Sequence, residues 1–238
     1  MIKVTLPRTI RCLVLPLMAA AGLFAPLANA QYDNVDPYME VNRKIYGFNQ
    51  SLDGLVFKPV TETYDFIMPT FAKRGVTNLF NNLDDINVVL NDLLQLKMSN
   101  ALHDSSRFFV NTTIGVAGIF DIATGLGLYK NFEDFGQTLG YWGVPPGPYV
   151  VLPLLGTSNV RDAIGQIPDC IFNPVFWVDN TETRFFLYSF HNIDTRLFYM
   201  AAESMVSGDE YIFVRDAYLQ RREYLVADGE VYDQWDDF

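Results

Sequence analysis

The sequence predicts an all-α protein, and three observations lead there. Apolar residues recur at steps of three and four along most of the chain, which is helical spacing. Strand-like alternation is scarce, and the series of roughly ten-residue alternating segments that a membrane barrel needs is missing, despite the barrel-like final Phe238. The candidate helices carry wide, aromatic-rich apolar faces, and a single Pro/Gly-broken, charge-free segment interrupts them.

The chain opens on a secretory signal peptide. Lys3, Arg8 and Arg11 make a positive start, residues 12–27 are apolar, and Ala28-Asn29-Ala30 supplies the small-x-small pattern before cleavage at Gln31. Pro16, Pro26 and the short apolar core argue against a spanning anchor of about 20 residues. The mature chain is then expected to be one domain, residues 31–238. All twenty-eight acids lie beyond the cut but only fourteen of the seventeen bases do, so cleavage moves the net charge from −11 to −14. That balance excludes nucleic acid as a partner, and any membrane contact must be driven by apolar area. Cys170 is the only thiol after cleavage, so no internal disulfide forms; set in DCIFNPVFW, it reads as a buried hydrophobe.

A first helix is expected near residues 38–57, where Val41, Ile45, Phe48, Leu52, Leu55 and Val56 share a face opposite Asn42, Arg43, Asn49 and Asp53. A second runs over 76–98, with a break expected at 77–82 because asparagines compete for backbone hydrogen bonds. A third covers 100–111, followed by Gly115, Gly118, Gly125 and Gly127 in an apolar background, a pattern of close backbone approach. Residues 135–160, FGQTLGYWGVPPGPYVVLPLLGTSNV, carry no ionisable side chain but hold four prolines and five glycines, so they cannot form one continuous membrane helix. The most aromatic helix is expected over 182–205, with Phe186, Phe190, Ile193, Leu197 and Met200 on one face; a surface helix follows over 209–227 and ends near Gly229. Apolar faces this broad lie either in a core or flat in a membrane interface, and spacing alone does not choose.

No catalytic constellation can be assembled. His103, Asp104 and Ser105 are sequence neighbours and point to different sides of a helix, so they form no nucleophile triad. Serine elbow, phosphate-cradling glycine loop and zinc spacing are all missing. Asp33, Asp36 and the tail DGEVYDQWDDF do not match a calcium loop and read as solvated charge. Neither an enzyme nor a cofactor is expected.

Four blocks, in order, resemble the MlaA (VacJ) family: DPYMEVNRKIYGFNQSLDGLVFKPV (36–60), RFFVNTTIGVAGIFDIA (107–123), EDFGQTLGYWGVPPGPYVVLPLLG (133–156) and YIFVRDAYLQRREYLVADGE (211–230). The resemblance implies an all-α, ring-like helical membrane-interface protein of the Gram-negative outer membrane, seated in the periplasmic leaflet. Its expected activity is non-enzymatic. Mislocalised phospholipid leaves the outer leaflet through an amphipathic channel and passes to the periplasmic carrier MlaC, with a trimeric porin as a further partner. The alternative is a soluble periplasmic lipid-binding member of the same family. Typical members carry an acylated cysteine directly after the signal, whereas here Cys12 follows Thr9-Ile10-Arg11 rather than a small-residue lipobox.

Candidate residues for the lipid path or for ring contacts follow from these blocks. In the first block they are Asn42, Arg43, Tyr46, Phe48 and Asn49, with Asn42 and Arg43 read as ring contacts ahead of lipid contacts; in the second they are Phe108, Phe109 and Asn111, read as packing. A hairpin expected around residues 141–149 is the leading functional candidate, through Tyr141, Trp142, Val144, Pro145, Pro146, Pro148 and Tyr149, with Val150 and Leu154 following it.

Overall fold

The computed structural model describes residues 35–200, 203, 206 and 208–229. The expected signal peptide, with Cys12, and the acidic residues Asp33 and 230–238 lie outside them. Helix α1 (Met39–Leu52) runs through a π-helical turn (Asp53–Phe57) directly into α2 (Lys58–Ile67). Pro59 brings no N–H to the junction, and the Lys58 amide reaches back five residues to Asp53 O, which widens the turn without breaking it. Beyond Pro69, α3 (Thr70–Leu94) is one continuous helix, so the break expected at 77–82 does not occur. The asparagines there are used elsewhere: Asn78 donates to Ile119 O at 3.1 Å and Asn82 to Thr112 Oγ1 at 2.9 Å, so neither competes with the helix.

Helix α4 (Met98–Thr113) packs antiparallel to α3 and is followed by the short α5 (Ile122–Gly125), capped by Asp121. Asp134 caps α6 (Phe135–Tyr141), its carboxylate accepting from the Gln137 amide at 2.8 Å. The expected hairpin at 141–149 is displaced: those residues are the end of α6 and a loop, and the hairpin follows, as β1 (Tyr149–Leu152) and β2 (Gly156–Asn159). The strands pair antiparallel with Tyr149 opposite Asn159 and Leu152 opposite Gly156. Pro145, Pro146 and Pro148 offer no amide for a ladder, which places pairing after them. Asn159 then caps α7 (Val160–Phe172), a 3₁₀ turn (Pro174–Trp177) leads to α8 (Thr181–Met200), and Asp209 caps α9 (Glu210–Val226). The described part of the helix expected over 182–205 ends at Met200.

These elements close on themselves. Contacts run from α1 to β1, β2, α7, α3, α8 and α2, and the π turn joins α2 back to α1. Close approaches hold the circuit where helices meet. A Cβ on Gly165 in α7 would stand 2.6 Å from the Gly136 amide nitrogen of α6. Gly118, at φ +89°, lies against Asn82 of α3, where a Cβ would come within 2.5 Å of the Asn82 side chain. Gly115 is equally crowded, whereas Gly125 and Gly127 have open space, so only the first pair of the expected glycine approaches is real.

Candidate functional site: apolar exterior and polar interior

The amphipathic helices are turned inside out. On α1, Asn42 is buried while Val41, Phe48, Leu55 and Val56 just beyond it are exposed. On α3 the buried positions are Asn82, Asp85, Asn87, Asn91 and Asp92 alongside Phe80 and Val88; on α4 they are Ala101, Asp104, Arg107 and Asn111, with Leu102 and Phe109 facing out. Phe66 at 91%, Leu55 at 80% and Phe71 at 78% exposure are the extreme cases. Large apolar side chains exposed in such number along successive helices mark a surface that meets a partner or a membrane. A compact apolar cluster, Tyr149, Val151 and Tyr211 with Ile45, Tyr46, Ile212, Tyr218 and Leu219, sits where α1, β1 and α9 converge.

The exterior also satisfies its own polar groups. Ser51, Thr63 and Thr113 each donate to the carbonyl four residues back, at 2.8, 2.8 and 2.6 Å. The half-exposed Trp142 and Trp177 turn their indole N–H groups to Leu94 O and Ile171 O. Surface groups facing water have no need of such bonds; groups facing hydrocarbon do.

Inside, charges and amides are networked. Arg107 reaches Asp85 at 3.3 Å, Asp121 at 3.0 Å and Leu128 O at 2.8 Å, and Lys130 bridges Asp84 and Asp85. Asn91 and Gln95 both bond Thr138 of α6, and Asn87 donates to Asp169 of α7 at 3.0 Å. Burial, reinforced by Asp134, pushes the Asp169 carboxyl up to about 6. Burial also pushes Asp134 upward, but the Arg222 guanidinium outweighs it and holds that carboxyl below its usual range. Asp92 is fully buried, and neither of its oxygens meets a donor. Burial first, then the facing Asp104 and Glu133, push it up to about 8. Thr61 Oγ1, Gln137 Oε1 and Tyr149 Oη are likewise buried without a protein partner, which leaves hydrogen-bonding capacity inside the protein.

The candidate residues divide along the same line. Asn42 donates to Asp36 at 2.8 Å and to Tyr149 O at 3.1 Å, and accepts from the Val151 amide at 3.0 Å. Asn49 repeats the clamp two helical turns on, donating to Leu152 O and accepting from the Leu154 amide, both at 2.9 Å. Together they sew α1 onto the hairpin. Arg43 pairs with Asp209 at 2.6 Å and lies 4.6 Å over the Tyr211 ring; Tyr46 donates to Glu210, and its burial raises the phenol to about 12. Asn111 donates to Asp121 and accepts from the Ala123 amide, holding α5. Phe48, Phe109, Tyr141, Trp142, Val144 and Leu154 are exposed, as are Pro145 and Pro146; Phe108 is half-buried, and Pro148, Tyr149 and Val150 are buried. The 141–154 run therefore does not act as one unit: residues 141–146 face out, 148–152 are interior, and 153–154 face out again. Asp36, expected to be solvated, is 2% exposed and accepts from Tyr211 Oη at 2.5 Å. Cys170 is half-buried beside Tyr188, its sulfur 3.8 Å from the phenol oxygen.

Sequence reasoning missed the interior network. The signal was the polar repeat in NNLDDINVVLND, whose Asn82, Asp85 and Asp92 fall at helical intervals of three and seven. Among the described residues there is no cluster suited to a metal ion, and no helix is long and apolar enough to cross a membrane.

Helices with an apolar outer surface, self-satisfied surface hydroxyls and a polar interior define a ring-like membrane-interface protein. The particular family follows from comparison with known proteins. Residues 34–225 match the family model described as MlaA lipoprotein, and the chain belongs to that family. It is 32% identical over 211 residues to the intermembrane phospholipid transport system lipoprotein MlaA of Escherichia coli K12, covering 86% of this chain and 83% of that protein. An uncharacterised protein of Rickettsia prowazekii is 33% identical over 195 residues, covering 80% and 78%. A solved structure described as the structural basis for maintenance of bacterial outer membrane lipid asymmetry superposes with a TM-score of 0.72 at 29% identity, covering 81% of this chain and all of that one.

Proposed function

We propose that this protein is a non-enzymatic phospholipid channel of the Gram-negative outer membrane, exported by its first thirty residues and working as the single domain that follows them. It sits in the periplasmic leaflet. Mislocalised phospholipid from the outer leaflet passes through it, headgroup toward the polar interior, and is handed to the periplasmic carrier MlaC; a trimeric porin is its neighbour. The observation that carries this reading is the inverted partition, with Phe66, Phe71, Phe109 and Leu154 outside and Asp85, Asp92, Arg107 and Asn111 inside. Lipid moved this way needs an apolar wall and polar headgroup contacts but no covalent step. In this reading Asn42, Asn49 and Asn111 hold the ring together, Arg43 and Tyr46 fasten α9 to α1, and Phe48, Phe108, Phe109, Tyr141, Trp142, Val144 and Leu154 meet lipid.

Deletion of the gene tests it. Outer-leaflet phospholipid is expected to accumulate in the deletion strain and to fall on complementation. An unchanged outer leaflet would overturn the channel, and recovery of the native protein in the detergent-free periplasmic fraction would overturn its seat in the membrane.

A further inference from the structure

Helices α2 and α8 leave an open groove of about 450 Å³ between them, walled by Pro59, Val60, Ile67 and Met68 on one side and Phe190 and Ile193 on the other. Its volume falls in the range of small-ligand sites, about 300–1,000 Å³. Two further lining residues bring polar atoms, and both are already committed. The Thr63 hydroxyl donates to Pro59 O at 2.8 Å, and Tyr64 Oη turns to Asp194 at 3.3 Å. No donor is left to hold a polar ligand. The rim is as apolar as the floor: Ile67 is 68% exposed, and Phe186, stacked on Phe190 at 5.6 Å, is 61% exposed.

The two ends differ. At the Pro59 end stands a neutral set of two cations and two anions. Lys58 lies 3.3 Å from Glu203, and Arg196 bonds both Glu203 and Asp53. Lys58 and Glu203 are both more than two-fifths exposed, so the pair can open to outside charges. Such a set complements a zwitterionic headgroup, phosphate toward Lys58 and ammonium toward Glu203. From Pro59 to Met68 the groove runs about 14 Å along α2 at 1.5 Å per residue. That is close to half of a hydrocarbon core of about 30 Å, the depth of one leaflet.

We propose that this groove seats one acyl chain of a zwitterionic glycerophospholipid, with its headgroup on Lys58 and Glu203. The site rests on the phospholipid reading given above but is separate from the polar interior. It fixes one lipid at the outer wall, where α8 contacts both α2 and α3.

Photolabelling tests the site. The purified full chain is reconstituted with phosphatidylethanolamine carrying a diazirine in mid-chain, irradiated, and its adducts are mapped by mass spectrometry. Adducts are expected to concentrate on Ile67, Met68, Phe190 and Ile193 relative to Leu154 and Phe109. Val60→Trp, at an exposed position that tolerates bulk, fills the groove and lowers those adducts by about tenfold, the worth of two methylenes kept out, with the Leu154 and Phe109 adducts unchanged. Uniform labelling of the exterior, or undiminished groove adducts in a folded Val60→Trp chain, overturns the site and leaves the channel reading standing. Absence of label from the whole chain overturns both.

Discussion

Asp92→Asn isolates the cost of a buried acid in this interior. Asp92 and Asp104 are both fully buried on facing helices, and the oxygens of Asp92 meet no donor. Two carboxylates are both acceptors, so they bond only when one carries a proton, and Asp92 is the one that keeps it, with its pKa pushed up to about 8. Other groups facing the pair are His103, 3.0 Å from Asp104, Glu133, and Lys97, which bonds Glu133 at 3.0 Å. The sign follows from linkage. A folded carboxyl that titrates above its unfolded value contributes stability that is fully present below pH 4 and is lost as pH rises toward 8. Across that window the folded state holds a proton that the unfolded state has released, which costs about 1.4 kcal/mol per pH unit. Asn supplies the same donor to Asp104 with no proton to lose. Denaturant melts in a non-ionic detergent at pH 5, 6 and 7 should therefore show the variant gaining on the parent by about 3 kcal/mol over the two units. Other acids raised by burial, Asp85, Glu133, Asp169 and Asp194, tilt both profiles alike, so the difference reports Asp92. Parallel profiles would refute the shared proton.

Val150 and Leu154 separate folding from membrane seating. Val150→Asp buries an unpaired charge in the hairpin and should unfold the chain at a cost of several kcal/mol, read by loss of the cooperative melt. Leu154→Asp, at 67% exposure, should leave the melt unchanged but reduce retention in carbonate-washed membranes, because a lipid-facing Asp costs up to about 3 kcal/mol. Asn42→Ala strands the Tyr149 carbonyl and the Val151 amide that it clamps, and should lower stability by about 1–3 kcal/mol in the same denaturant melts. Trp142 and Trp177, with their N–H groups bonded inward, should be quenched by lipids brominated on the acyl chain more strongly than by a headgroup quencher.

How much of this was legible in the sequence depends on the physics behind each signal. Periodicity placed α1, α4, α8 and α9 within a few residues, because helical spacing does not depend on which side is wet. It could not say which side faces inward, and here the answer is the reverse of the usual one: Phe48, Leu55 and Phe109 point out while Asn42, Asp92 and Asn111 point in. The hairpin was hidden for a different reason. Tyr149, Val150, Val151 and Leu152 are all buried, so β1 shows no alternation, and its partner GTSN is small and polar rather than β-branched. The asparagines of α3 misled in the opposite sense: a residue that breaks isolated helices is harmless once its amide is bonded across to Ile119 or Thr112.

Length alone does not explain why no helix among the described residues is suited to crossing a membrane. Helix α3 has 25 residues and extends about 37 Å at 1.5 Å per residue, more than a hydrocarbon core of about 30 Å. What prevents spanning is the stripe of Asn82, Asp85, Asn91 and Asp92, which face Thr112, Lys130, Thr138 and Asp104 on neighbouring elements, with Asn91 also donating to Asn87 O within α3. Exposed singly to lipid, each group costs several kcal/mol. Closing the helices into a circuit turns those stripes toward one another, and the same act turns apolar residues such as Phe48, Phe71 and Phe109 outward. The polar interior and the lipid-facing wall are therefore two consequences of one arrangement. A substitution that opens the circuit, such as breaking the Asn87 contact with Asp169 between α3 and α7, should damage both together.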